Sequence, residues 1–106
     1  MAKARINIPR NIQLGDVIEI KTLVTHPMET GFRVDGLGVK IPRNILTDFE
    51  VKLDDAVVFH AELQPGIAAN PYIGFYLRAD KGGTLTFTWR GHNNFSLIER
   101  RELSVA

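Results

Sequence analysis

Cysteine is absent from the 106-residue chain, which removes disulfides, thiolate nucleophiles and thiolate metal ligands together. The chain cannot itself carry a covalent thiol adduct. That absence says nothing of redox compartment, since a disulfide-free domain of this size holds together on either side of a membrane. An excess of one charge is missing as well. Thirteen Lys and Arg face twelve Asp and Glu, for a net charge of +1, and the basic residues are dispersed, so the electrostatic footprint of a nucleic-acid binder is lacking. Arg100 and Arg101 form the one adjacent basic pair and read as a solvated strand end. Serine occurs twice, at Ser96 and Ser104, which leaves a serine hydrolase little to work with. No apolar run approaches a spanning helix, and Met1 to Asn11 lacks the apolar core of a signal peptide. Taken alone, that start points to the cytoplasm.

What is present suits one ordinary globular domain over residues 1–106. Apolar residues make up 44% and charged residues 24%, and this length buries roughly 60 to 70% of the unfolded surface without staples. Period-two alternation dominates. Ala4–Ile8 is a weak first strand ended by Pro9, and Leu14-Gly15-Asp16 turns into a clear strand over Val17–Thr25. Leu46–Leu53 and Ala56–Gln64 pair as a hairpin around Asp54-Asp55, with Val57, Phe59, Ala61 and Leu63 expected inward. Pro65-Gly66 breaks the pattern and opens a crossover. Tyr72–Ala79 follows, then Lys81-Gly82-Gly83 turns into Thr84–Arg90, and Phe95–Val105 closes the chain. Seven short strands without a convincing amphipathic helix predict an all-β fold, an immunoglobulin-like antiparallel sandwich, with an open Greek-key barrel as the other arrangement.

One stretch stands apart. His26 to Asn44, HPMETGFRVDGLGVKIPRN, has no clear period and holds two of the five prolines and three of the nine glycines. Between strands of a small scaffold such a loop is where binding chemistry collects. Its Gly36-Leu37-Gly38 neither follows a strand nor opens a helix, so it is not a phosphate loop and suits left-handed turn geometry instead. A metal centre is disfavoured: His26, His60 and His92 lie 34 and 32 residues apart, no close histidine pair exists, and no cysteine completes a set. No metal or other cofactor is expected. Tyr72 and Tyr76, on one face of their strand, suit core packing or a protein interface.

The segments HPMETGFR, IPRNI, IAANPY with GFY and RA, and GTL with FTW, spread over nearly the whole chain, resemble the SoxZ family of sulfur-oxidation proteins. The resemblance implies an immunoglobulin-like sandwich that is not an enzyme. Such a chain forms a tight heterodimer with a SoxY-like subunit, whose C-terminal cysteine carries the sulfur intermediates of thiosulfate oxidation. It implies work in the periplasm, with export alongside the partner, and transient contact with other sulfur-oxidation enzymes. The family motifs carry over to His26, Pro27, Met28, Glu29, Thr30, Gly31 and Arg33, and to Asn70, Pro71 and Tyr72, which are expected to bind the partner or the enzymes that visit it. A purely structural account of the same loop has Pro27 and Gly31 fixing its path, Met28 plugging the sandwich end and Glu29 pairing with Arg33. A reading of a different class is a mononuclear metal-binding redox enzyme of superoxide-reducing type on the same fold; a further one is a cytoplasmic adaptor unrelated to sulfur.

Overall fold

Alternating apolar and polar residues can bury one face only by stacking sheet on sheet, and the chain does so. The computed structural model describes residues 3–64 and 67–106. Its strands are β1 (Ala4–Asn7), β2 (Val17–Val24), β3 (Leu46–Leu53), β4 (Ala56–Glu62), β5 (Tyr72–Arg78), β6 (Gly83–Gly91) and β7 (Ser96–Leu103). They form a three-stranded sheet in the order β1-β2-β5 and a four-stranded sheet in the order β4-β3-β6-β7, antiparallel throughout. The expected sandwich is therefore present, with β4 beside β3 in the larger sheet. Pro65-Gly66, read as the break before the crossover, lies outside the described residues. The chain leaves β4 in one sheet and enters β5 in the other, as a crossover requires. Lys81-Gly82-Gly83 makes a further change of sheet, the third after β2–β3 and β4–β5, rather than a hairpin, because β5 and β6 do not pair.

The core follows the alternation. On β2, Ile18, Ile20, Thr22 and Val24 are buried while Val17, Lys21 and Leu23 face out. The buried Thr22 hydroxyl donates to the Ile73 carbonyl at 2.8 Å, so its burial leaves no polar atom unpaired. Phe49, Val51, Leu85, Phe87 and Trp89 are wholly inaccessible to solvent. Phe49 lies 4.9 Å from the Trp89 ring and 6.4 Å from Phe75 of the smaller sheet, and Phe75 stacks on Phe59 at 4.6 Å and 12°. These rings carry the contact from sheet to sheet, and truncating one such as Phe49 to alanine costs about 3–5 kcal/mol. The Phe59–Phe75 stack seats β5 over β4, which leaves β1 on the side of β7.

One expectation fails for a local reason. Val57 was assigned inward by strict alternation, yet it is 54% exposed. The β3–β4 ladder slips between Val51 and Lys52, with Val51 opposite Phe59 and Lys52 opposite Val57, so Val58 is an extra residue. This bulge reverses the facing of the strand toward its start: Val58 packs against the core in place of Val57. The last strand is also shorter than expected, beginning at Ser96 because Phe95 belongs to the preceding turn, where its N–H donates to the His92 carbonyl at 3.1 Å.

The bulge gives a test. Val57→Asp is expected to change the free energy of urea unfolding by less than about 0.5 kcal/mol, whereas Val58→Asp places a charge against the core and costs at least about 2 kcal/mol. Uninterrupted alternation would produce the opposite ranking.

Candidate functional site

The connections β2–β3, β4–β5 and β6–β7 gather at one end of the sandwich, and His26 stands among them. Because Leu23 on β2 pairs with Tyr72 on β5, the chain leaving β2 runs beside the chain entering β5. The two clasp there. His26 N–H donates to the Asn70 side-chain oxygen at 3.0 Å, Asn70 N–H donates to the His26 carbonyl at 2.7 Å, and Val24 N–H donates to the Pro71 carbonyl at 3.1 Å. Asn70 makes the turn with a φ of 54°, a left-handed conformation that asparagine tolerates better than most residues. The two motifs HPMETG and ANPY, 44 residues apart from His26 to Asn70, thus form one structure.

The His26 ring is 3% exposed. Its Nδ1 accepts the Met28 N–H at 3.0 Å, which places the proton of the neutral ring on Nε2. That atom has no hydrogen-bond partner among the described residues, and the ring meets Phe95 edge to face at 5.0 Å and 81°. Burial first, and the charge of nearby His92 second, push the His26 pKa below its ordinary value of 6.5. Met28 is buried with a φ of 50°, a strained setting for this side chain. It is held there because the Leu46 N–H donates to its sulfur at 3.2 Å. Gly31 has a φ of 89°, and a Cβ there would come within 3.1 Å of the Arg43 Cβ, so both conformation and space ask for glycine.

From this root an arm projects. Glu29 and Asn44 exchange two backbone hydrogen bonds of 2.7 Å, and further out the Ile41 N–H donates to the Arg33 carbonyl and the Asp35 N–H to the Val39 carbonyl. At the tip the Asp35 carboxylate accepts from the Leu37 and Val39 N–H groups. Arg33 Nε lies 3.2 and 3.0 Å from the two carboxylate oxygens of Glu29, and that hydrogen bonding holds the Glu29 pKa below its ordinary value. All nine residues from Phe32 to Lys40 are exposed, among them Phe32 at 79%, Val34 at 59%, Leu37 at 90% and Val39 at 60%.

The ten expected site residues divide accordingly. His26, Met28, Gly31 and Pro71 are buried, Glu29 and Thr30 half-buried, and Pro27, Arg33, Asn70 and Tyr72 exposed. The first group shapes the root, and the last can meet another molecule. Phe32, Val34, Leu37 and Val39 were missed, because without a period the stretch offers no way to tell a buried apolar residue from a displayed one. His60 stands apart on the outer face of the larger sheet, 3.6 Å from Asp48, and among the described residues no three His, Asp or Glu gather as metal ligands.

The family described as "Sulphur oxidation protein SoxZ" matches residues 6–99. The chain belongs to the SoxZ family. This SoxZ chain matches no curated protein, but its fold recurs in solved structures. A superoxide reductase (neelaredoxin) from Ignicoccus hospitalis is 17% identical with a TM-score of 0.74, covering 97% of this chain and 80% of the other. The sulfur carrier protein SoxY from Chlorobium limicola f. thiosulfatophilum is 13% identical at 0.67, covering 97% and 78%. A superoxide reductase from Archaeoglobus fulgidus is 20% identical at 0.63, covering 95% and 86%. These likenesses establish the fold; the family match makes this a SoxZ-type sulfur-oxidation protein.

The His26 environment predicts a pH effect. Near pH 6.5 the unfolded chain takes up a proton that the folded chain refuses, so stability is full above that value and is lost as pH falls through the lower folded pKa. Urea midpoints of the native chain and of His26→Gln are expected to differ most above pH 6.5 and to converge below it. A constant gap across that window would show that His26 is not held neutral.

Proposed function

We propose that this SoxZ chain is the non-catalytic half of a heterodimeric sulfur carrier. It holds a SoxY-like subunit whose C-terminal cysteine bears the intermediates of thiosulfate oxidation in the periplasm. The observation that carries the reading is the arm. It is ordered by its own backbone hydrogen bonds yet displays four large apolar side chains within eight residues, Phe32 to Val39. An apolar surface of that kind on a sandwich with a complete core of its own is suited to a permanent interface. The lack of cysteine assigns any thiol chemistry to the partner. Pro27, Arg33 and Tyr72 border the same end and contribute to docking, while His26, Met28 and Gly31 set the angle at which the arm leaves the sandwich.

A mononuclear metal redox centre would share its fold with the superoxide reductases. Its donors are missing from the described residues, since His26 Nδ1 already accepts the Met28 N–H and His60 lies on another face.

Gentle purification from the native host, with intact masses of everything that co-purifies, tests the proposal. Expected is a stoichiometric second protein from the periplasmic fraction, with a cysteine near its C-terminus and mass additions of sulfur or sulfonate. The chain alone, or with bound metal, would overturn the reading. Leu37→Asp and Phe32→Asp are expected to leave the urea midpoint unchanged and to weaken the complex at least about tenfold, a loss in line with a buried interface anchor. An undiminished complex in both variants would remove the arm from the interface.

A further inference from the structure

A second surface lies along the open side between the sheets, where β1 and β7 are the outer strands. Among the described residues β1 has one neighbour, β2, so one row of its backbone N–H and C=O groups has no strand there to pair with. An open groove of about 710 Å³ follows it, lined by the whole run Ala4–Ile8 and by Leu23 and Tyr72. Its charged lining is Arg5, Arg10, Lys21 and Arg101, with no carboxylate. Lys21 lies 4.0 Å from Glu19 and Arg101 is 3.1 Å from Glu99, while Arg5 and Arg10 are in no ion pair among the described residues.

We infer that this groove receives an extended acidic segment of a partner chain, added as a strand to the free edge of β1. The two faces of β1 specify its pattern. Ala4, Ile6 and Ile8 are half-buried and turn inward, whereas Arg5 and Asn7 are exposed, and Arg5 lies in one cross-strand row with Leu23 and Tyr72. A segment alternating apolar and acidic residues puts its apolar side chains toward Ile6 and Ile8 and its carboxylates toward Arg5, on the outward face of β1. Arg5 on β1 and Arg10 just beyond its end lie at different points along the segment's path, which suits a chain better than a single small anion. They also oppose a second copy of β1, which would gather Arg5 and Arg10 of both copies at one seam. The Ala4 end of β1 pairs with Val24 at the end of β2, so a bound segment runs toward the root of the arm. This inference goes beyond the proposed function, and its failure would leave the role of the arm intact.

The test titrates the full ¹⁵N-labelled chain with an eight-residue peptide alternating valine and glutamate, its glutamine twin and a lysine counterpart. Expected are shifts at Arg5, Ile6 and Asn7, at least about tenfold slower hydrogen exchange of β1 amides, and at least about tenfold weaker binding of the glutamine twin. Raising the salt to several times the physiological level weakens binding, and Arg5→Glu with Arg10→Glu abolishes it without lowering the melting temperature. No binding, or equal binding of the twin or the lysine peptide, would overturn the inference. So would inorganic sulfate producing the same shifts with no slowed amides, since that identifies an anion site without strand addition.

Discussion

The rings of Trp89, Phe49, Phe59 and Phe75 form the contact on which the remaining geometry depends. Trp89 and Phe49 sit on neighbouring strands of the larger sheet, and Phe75 reaches Phe49 and Phe59 from the smaller. Once Phe75 is stacked on Phe59, β5 has only one place to lie, and β2 and β1 follow from it by pairing. The end of β2 then falls beside the start of β5, which is why His26 and Asn70 can clasp. The same placement leaves β1 at the open side with Arg5 outward. Both the loop end and the basic groove therefore rest on an aromatic contact that touches neither.

The root of the arm shows how a small domain builds a special loop from hydrogen bonds and packing, with no cysteine to form a disulfide. Met28 accepts an unusual backbone angle because its N–H, its sulfur and its burial are all satisfied by neighbours, and a local strain of about 1–3 kcal/mol persists only under such over-determination. His26 is the hub: its backbone is tied to Asn70, its Nδ1 to Met28 and its ring to Phe95. These contacts fix where the arm points, and the arm in turn adds nothing to the core.

Strands were legible in the sequence because burial on one face imposes a period of two, and β2, β3, β5 and β6 carry it cleanly. The bulge at Val58 was not legible. An extra residue leaves the composition of the strand unchanged and shows itself only through the partner that it slips against. The stretch from His26 to Asn44 was recognisable as irregular, and Tyr72 and Tyr76 as sharing one face of their strand, which the structure shows to be exposed. What could not be read was the division into a buried root and a displayed arm. His26 and Met28 owe their burial to Phe95, Asn70 and Leu46, which are distant in the chain and follow no pattern in it. The same holds for the basic groove, whose cations come from β1, the turn after it, β2 and β7.

Superoxide reductases and a sulfur carrier share this sandwich, so the scaffold alone does not select a chemistry; the side chains set on its loops do. The arm carries a corollary for how such a chain changes over generations. The side chains of Phe32, Val34, Leu37 and Val39 bury nothing of the core, so selection for foldability is blind to them. Substitutions there would drift freely if nothing met the arm. Any restraint on Phe32, Val34, Leu37 and Val39 among descendants of this gene therefore registers the shape of another molecule, inherited in a protein that does not need those side chains to fold.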